Sequence, residues 1–168
     1  MGTEWMGRYR PLVAALVLHS NTIHRGMNEK FDLGNGMVLS THEWQVLEYI
    51  VEHKDDYFSM IQIARQLGIP QSSFSRIVGI LNNYGLIDKY QVENNKKNVV
   101  VRPTDFALEL YAKRSGSLDS RYFRVFFDAL EGIEDADIVT FTEALNALTQ
   151  AIISQPQEDS EPKLIKLD

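Results

Sequence analysis

A mainly α-helical fold carrying one small β-hairpin is what this 168-residue sequence predicts, and three observations predict it. Apolar residues recur at three- and four-residue steps through most of the chain. Two capping boxes, Ser40 with Glu43 and Ser59 with Gln62, stand where helices should begin. Runs rich in Val, Ile and Tyr on either side of Glu93-Asn94-Asn95-Lys96-Lys97 read instead as two strands joined by turn residues and a lysine pair.

The chain opens with a helix over residues 9–27. Leu12, Leu16, Ile23 and Met27 line one side of it and Val13, Val17 and Ser20 the adjoining one, a stripe broad enough for more than one neighbour, another subunit among them. Residues 28–38, with Gly34, Asn35 and Gly36, read as a loop. The Ser40 box starts a helix with Trp44, Leu47, Ile50 and Val51 inward, ended by the charged turn His53-Lys54-Asp55-Asp56. The Ser59 box starts a short helix that buries Ile61, Ala64 and Leu67 and stops at Gly68.

The next helix organises the rest. Phe74, Ile77, Val78 and Leu81 share one face, which leaves Gln71, Ser72, Ser75, Arg76, Gly79, Asn82 and Asn83 on the other. That second face has one guanidinium and no acid, whereas an ordinary solvated helix mixes acids and bases at i,i+4. It is kept clear for a polyanion. After Gly85 come strands over 86–92 and 98–102, with the tip at 93–97. Helix, turn, helix and hairpin in that order make a winged helix-turn-helix, whose second helix enters the major groove.

Beyond the hairpin, Thr104 caps a helix that runs through Phe106, Leu110, Tyr111 and Leu118 toward Tyr122, Val125 and Phe126, with a bend expected at Ser115-Gly116-Ser117. A last helix over 135–153 spaces Ile138, Phe141, Leu145, Leu148 and Ile152 like a coiled-coil seam, open to packing within the chain or against a partner. Residues 155–168 are polar and acidic and should fray.

Charge narrows the function. The whole chain has a net charge of -6, yet residues 60–102 hold six bases against two acids, a local net of +4. An acidic body with one basic region suits oriented binding to a polyanion rather than coating it. The absence of cysteine excludes disulfides and thiolate metal sites. No two histidines stand at the i,i+4 spacing of a helical metal site, no signal peptide or membrane span is evident, and no nucleophile motif or phosphate loop is found. A cytoplasmic, non-enzymatic protein without metal or cofactor is the expectation.

From Leu39 to Thr104 the sequence resembles the MarR family of winged-helix transcription regulators. Leu39-Ser40 with Val46-Leu47, Ile63-Ala64 with Leu67-Gly68-Ile69, and Ser73 to Val78 followed by Leu81 to Ile87 carry the likeness. Asn95-Lys96-Lys97 falls, without a gap, where the family has an Asp-Arg-Arg wing motif. The resemblance implies residues 1–38 and 104–153 as dimerisation helices around a DNA-binding domain at 39–103, with an acidic tail at 154–168. It also implies a homodimer on a near-palindromic double-stranded DNA operator, acting as a repressor.

Base readout then rests on Gln71, Ser72, Ser73, Ser75 and Arg76, with Gln suited to adenine and Arg to guanine. Arg65, Lys89, Asn94, Asn95, Lys96 and Lys97 are left for the backbone and wing. Asn95 cannot make the ion pair of the family's Asp, and Lys96 is a point charge where Arg would be a planar fork, so wing contact is expected to be weaker or limited to phosphates. For a small aromatic or anionic effector the cleft candidates are His19, His24, Trp44, Tyr111 and Arg114, although Trp44 and Tyr111 also fit a core and the histidines a helix surface. A winged helix used only for protein interaction is the alternative reading, kept open by the altered wing and by Gly79.

Overall fold

The computed structural model describes residues 3–34, 36–92, 95–114 and 119–154, of which 3, 92, 95–98 and 119–122 are described as backbone only. The chain divides into two compact units, residues 1–115 and 116–168.

In the first unit a 3-10 segment, Thr3–Tyr9, leads into helix α1, Arg10–Gly26, which buries none of its residues. Leu12, Val17 and Ile23 of the expected stripe are exposed, while Val13, Leu16 and Met27 are half-buried. Residues 28–38, expected to be a loop, instead hold an antiparallel hairpin: β1, Lys30–Gly34, against β2, Met37–Ser40. Leu33, Met37 and Leu39 alternate inward, and Gly34 and Gly36 take the positive φ values, 91° and 78°, of a tight turn.

Helix α2, Thr41–Glu52, starts on the expected capping box. Ser40 Oγ accepts from the Glu43 amide at 3.2 Å, while Glu43 Oε2 accepts from the Ser40 amide at 2.7 Å. Trp44, Leu47, Ile50 and Val51 are buried. Helix α3, Met60–Gln66, has the same reciprocal cap between Ser59 and Gln62. Its phase differs from expectation, because Ile61 is 55% exposed while Ile63 and Ala64 are buried. The helix has only seven residues, too few for spacing to fix which side faces the core.

Gly68, at φ 65°, turns the chain into α4, Gln71–Asn83. Phe74, Val78 and Leu81 are fully buried and Ile77 nearly so. Strands β3, Ile87–Val92, and β4, Asn95–Pro103, follow. Their register pairs Lys89 with Val101 and Gln91 with Val99, then shifts so that Val92 meets Asn95. The extra residues form a bulge. The tip is therefore shorter than the expected 93–97, and Asn95, Lys96 and Lys97 belong to β4. On the other edge of β4, Ser59 bridges Val100 and ties α3 to the wing.

Thr104 closes the unit. Its Oγ1 donates to the Gly85 carbonyl at 2.7 Å and accepts from the Ala107 amide at 3.2 Å, so one hydroxyl joins the end of α4 to the start of α5, Asp105–Arg114.

The second unit holds α6, Asp119–Leu130, and α7, Asp135–Ile153. Phe123, Phe126 and Phe127 on α6 are exposed, as are Phe141, Leu148 and Ile152 on the seam of α7. The bend expected at 115–117 and the tail beyond Ser154 lie outside the described residues. Among the described residues no helix is long and apolar enough to cross a membrane.

Replacing Phe74 with alanine should lower stability by about 3–5 kcal/mol, since a fully buried ring leaves a cavity. Ser40→Ala should lower it by about 1 kcal/mol. Urea unfolding of the two variants checks both.

Candidate nucleic-acid interface

The site is built outward from the buried side of α4. With Phe74, Ile77, Val78 and Leu81 held in the core, Gln71, Ser72, Ser75, Arg76, Asn82 and Asn83 are exposed, and none is acidic. Ser73, grouped with the base readers, is half-buried at the edge of that face. Pro70 occupies the cap position with φ -55°, and no side chain caps the helix there. Its carbonyl instead receives the Phe74 amide at 2.9 Å.

Around this face, Arg65 is exposed in the last turn of α3 and Lys89 is exposed on β3. Asn94 lies outside the described residues, and Asn95, Lys96 and Lys97 are placed only as strand backbone. Arg102, counted in the basic region, is half-buried with its guanidinium 4.5 Å from the centre of the Tyr57 ring. That cation-π contact ties the base of the wing to the loop before α3.

The residues considered for an effector cleft divide into two groups. Trp44 is part of the core, edge-on to Phe31 with centroids 6.0 Å apart and stacked with Tyr111 at 6.3 Å. Tyr111 donates to Glu52 Oε1 at 3.1 Å. Burial, that hydrogen bond and the nearby Glu52 and Glu48 charges push its phenol up to about 12. Arg114 donates from Nη2 to the Asp32 carbonyl at 3.2 Å. These three residues pack α5 against α2 and the first hairpin. His19 and His24, by contrast, are exposed on α1.

One neighbour of Arg76 escaped the sequence reading. His42, in the first turn of α2, has its imidazole pulled below the ordinary value by burial, with Glu43 acting upward and Arg76 downward. Its position in a capping turn gave no sign of proximity to α4.

Three helices with a hairpin against the third, and a polar outward face on that third helix, define a winged helix-turn-helix protein. Residues 39–97 match the sequence profile of the MarR family, to which that stretch of the chain is similar. No curated protein matches the chain in sequence. Among solved structures, the chain is similar to a MarR/EmrR family transcriptional regulator from Acinetobacter sp. ADP1, 20% identical, with 87% of this chain and 97% of that one covered at a TM-score of 0.64. It is also similar to the MepR–DNA complex of S. aureus, at 13% identity, 83% and 96% coverage and a TM-score of 0.61. A third likeness is to the PcaV transcriptional regulator of Streptomyces coelicolor in complex with its natural ligand, at 17% identity, 88% and 96% coverage and a TM-score of 0.58. At these identities the likeness is one of fold.

Detaching β4 from the loop before α3 should loosen the wing. Tyr57→Ala, which removes the ring under Arg102, should cost about 0.5–1 kcal/mol of stability, and thermal unfolding measures it.

Proposed function

We propose that this protein is a homodimeric, sequence-specific regulator that binds double-stranded DNA and represses transcription until a small molecule releases it. The observation that carries the reading is the outward face of α4: exposed, polar, acid-free and bearing Arg76. In this reading Arg76 and Gln71 read base edges, with Ser72, Ser73 and Ser75 beside them. Arg65, Lys89 and the wing residues Asn94, Asn95, Lys96 and Lys97 hold the phosphate backbone. MepR was solved as a DNA complex and PcaV in complex with its natural ligand, and both likenesses support the same two activities here.

Residues 39–103 are taken as the DNA-binding domain and 1–38 with 104–153 as the dimerisation helices. The exposed apolar residues of α1, α6 and α7 support that division, because apolar surface on this scale is usually covered by a partner. A dimer sets two recognition helices roughly 34 Å apart, matching successive major grooves on a near-palindromic site.

Binding to duplex from upstream of the protein's own gene, against random duplex, tests the reading at several salt concentrations. Preference for the upstream duplex, weakening steeply with salt, is expected; equal binding to both, or to neither at low salt, would contradict it. Arg76→Ala should cost about 1–3 kcal/mol on the preferred duplex and relax specificity. Lys96→Ala should weaken all sequences alike and lower the salt slope by about one. Sedimentation should return twice the 19.2 kDa chain mass, and Leu148→Asp should shift it toward the single-chain value.

A further inference from the structure

Asn28, Lys30, His42 and Arg76 meet at one recess of about 200 Å³ beside α4. They come from the chain just ahead of β1, from β1 itself, from the first turn of α2 and from α4. Helical period relates this recess to the recognition face. Arg76 stands at the border of the exposed side of α4, Ile80 one turn on is half-buried, Ile77 is in the core, and all three line the recess. The recess therefore runs along one flank of the outward face.

That flank is cationic. Lys30 and Asn28 are exposed and His42 is half-buried. Among the described residues neither Lys30 nor Arg76 makes an ion pair. One acid lines the recess, Glu43, but its carboxylate accepts from the Ser40 amide and the residue is 8% exposed.

A helix lying in a major groove about 12 Å wide has a phosphate backbone on either side of it, so groups on its flanks meet phosphates rather than bases. We propose that Lys30 and His42, with Asn28, form a phosphate-binding notch beside α4, and that binding DNA adds a proton from solvent to His42, which makes the affinity for DNA depend on pH. The proposal rests on the reading of α4 as the DNA-binding face. It adds to that face a contact from the first hairpin and the start of α2, outside the helix-turn-helix and the wing.

The direction of the pH effect follows from the surroundings of the imidazole. The charged groups that face His42 are Glu43 on its own helix, Arg76 from α4 and Lys30 from β1. Burial holds it below its ordinary value of 6.5 in the free protein, with Glu43 acting upward and Arg76 downward. A phosphodiester in the notch brings a negative charge and acceptor oxygens, and both favour the imidazolium. The complex then holds more protons than the free protein. Affinity accordingly rises as the pH falls through the value His42 has in the complex, and levels off below the value it has in the free protein.

Anisotropy titrations of the full-length protein test this at constant ionic strength, with labelled duplex from upstream of its own gene and with random duplex. Wild-type affinity should rise at least about threefold between about pH 7.5 and about pH 6.0, and calorimetry in two buffers of different ionisation enthalpy should record proton uptake on binding. His42→Gln should remove most of both. Lys30→Ala should weaken the two duplexes alike, by about three- to tenfold at low salt, and lower the salt slope by about one. Thermal unfolding establishes that each variant is folded.

Folded Lys30→Ala and His42→Gln proteins that prefer the upstream duplex with wild-type affinity, salt slope and pH dependence overturn the notch and leave the regulator reading standing. A loss in Lys30→Ala confined to the upstream duplex overturns the phosphate role, since a backbone contact carries no sequence. Undiminished proton uptake in His42→Gln overturns the assignment of the pH effect to His42. Wild-type protein that binds neither duplex at low salt overturns the regulator reading and the notch with it.

Discussion

Burial of one side of α4 is the constraint on which the rest of this structure depends. Phe74, Ile77, Val78 and Leu81 enter the core together, and a helix fixed on that side has no freedom to choose what it shows outside. The polar residues between them must therefore point away. Leu86 and Ile87, both buried, carry the same core into the start of β3, and the Thr104 hydroxyl clamps the end of α4 to α5. The wing and the recognition face consequently share one rigid base. A loss of packing at Phe74 would disturb both at once, which is why the stability of this helix and the proposed chemistry of its surface are a single question.

Much of this was legible in the sequence because it depends on local rules. Two capping boxes fixed the starts of α2 and α3, and period identified the buried face of α4 and hence its exposed one. Where local rules were thin, the reading differed from the structure. Residues 30–40 carry Phe31, Leu33, Met37 and Leu39 in alternation, but the glycines between them masked a hairpin as a loop. Ile61, expected to be buried, is exposed in a helix of barely two turns, and Ile63 is buried instead. The wing tip was misplaced because a bulge, invisible in spacing, returned Asn95 to Lys97 to the strand.

The interface was readable in part for the same reason. Its face follows from helical period, so Gln71, Ser72, Ser75 and Arg76 could be grouped without coordinates. The approach of Lys30 and His42 to Arg76 could not, since it arises from how the first hairpin and α2 stack on α4, a long-range consequence of packing. Trp44, Tyr111 and Arg114 illustrate the converse. Their mixed character reads as a ligand pocket, yet stacking, a hydrogen bond to Glu52 and a contact to the Asp32 carbonyl engage them in joining α2, α5 and the hairpin.

The central claim is that the outward face of α4 is where this protein meets DNA. Backbone amide chemical shifts, followed as duplex from upstream of its own gene is added to the labelled protein, test it most directly. The account predicts the largest changes over residues 71–76, with a second group along the wing at 95–97. Changes concentrated on α1 or α7, with α4 unmoved, would contradict it.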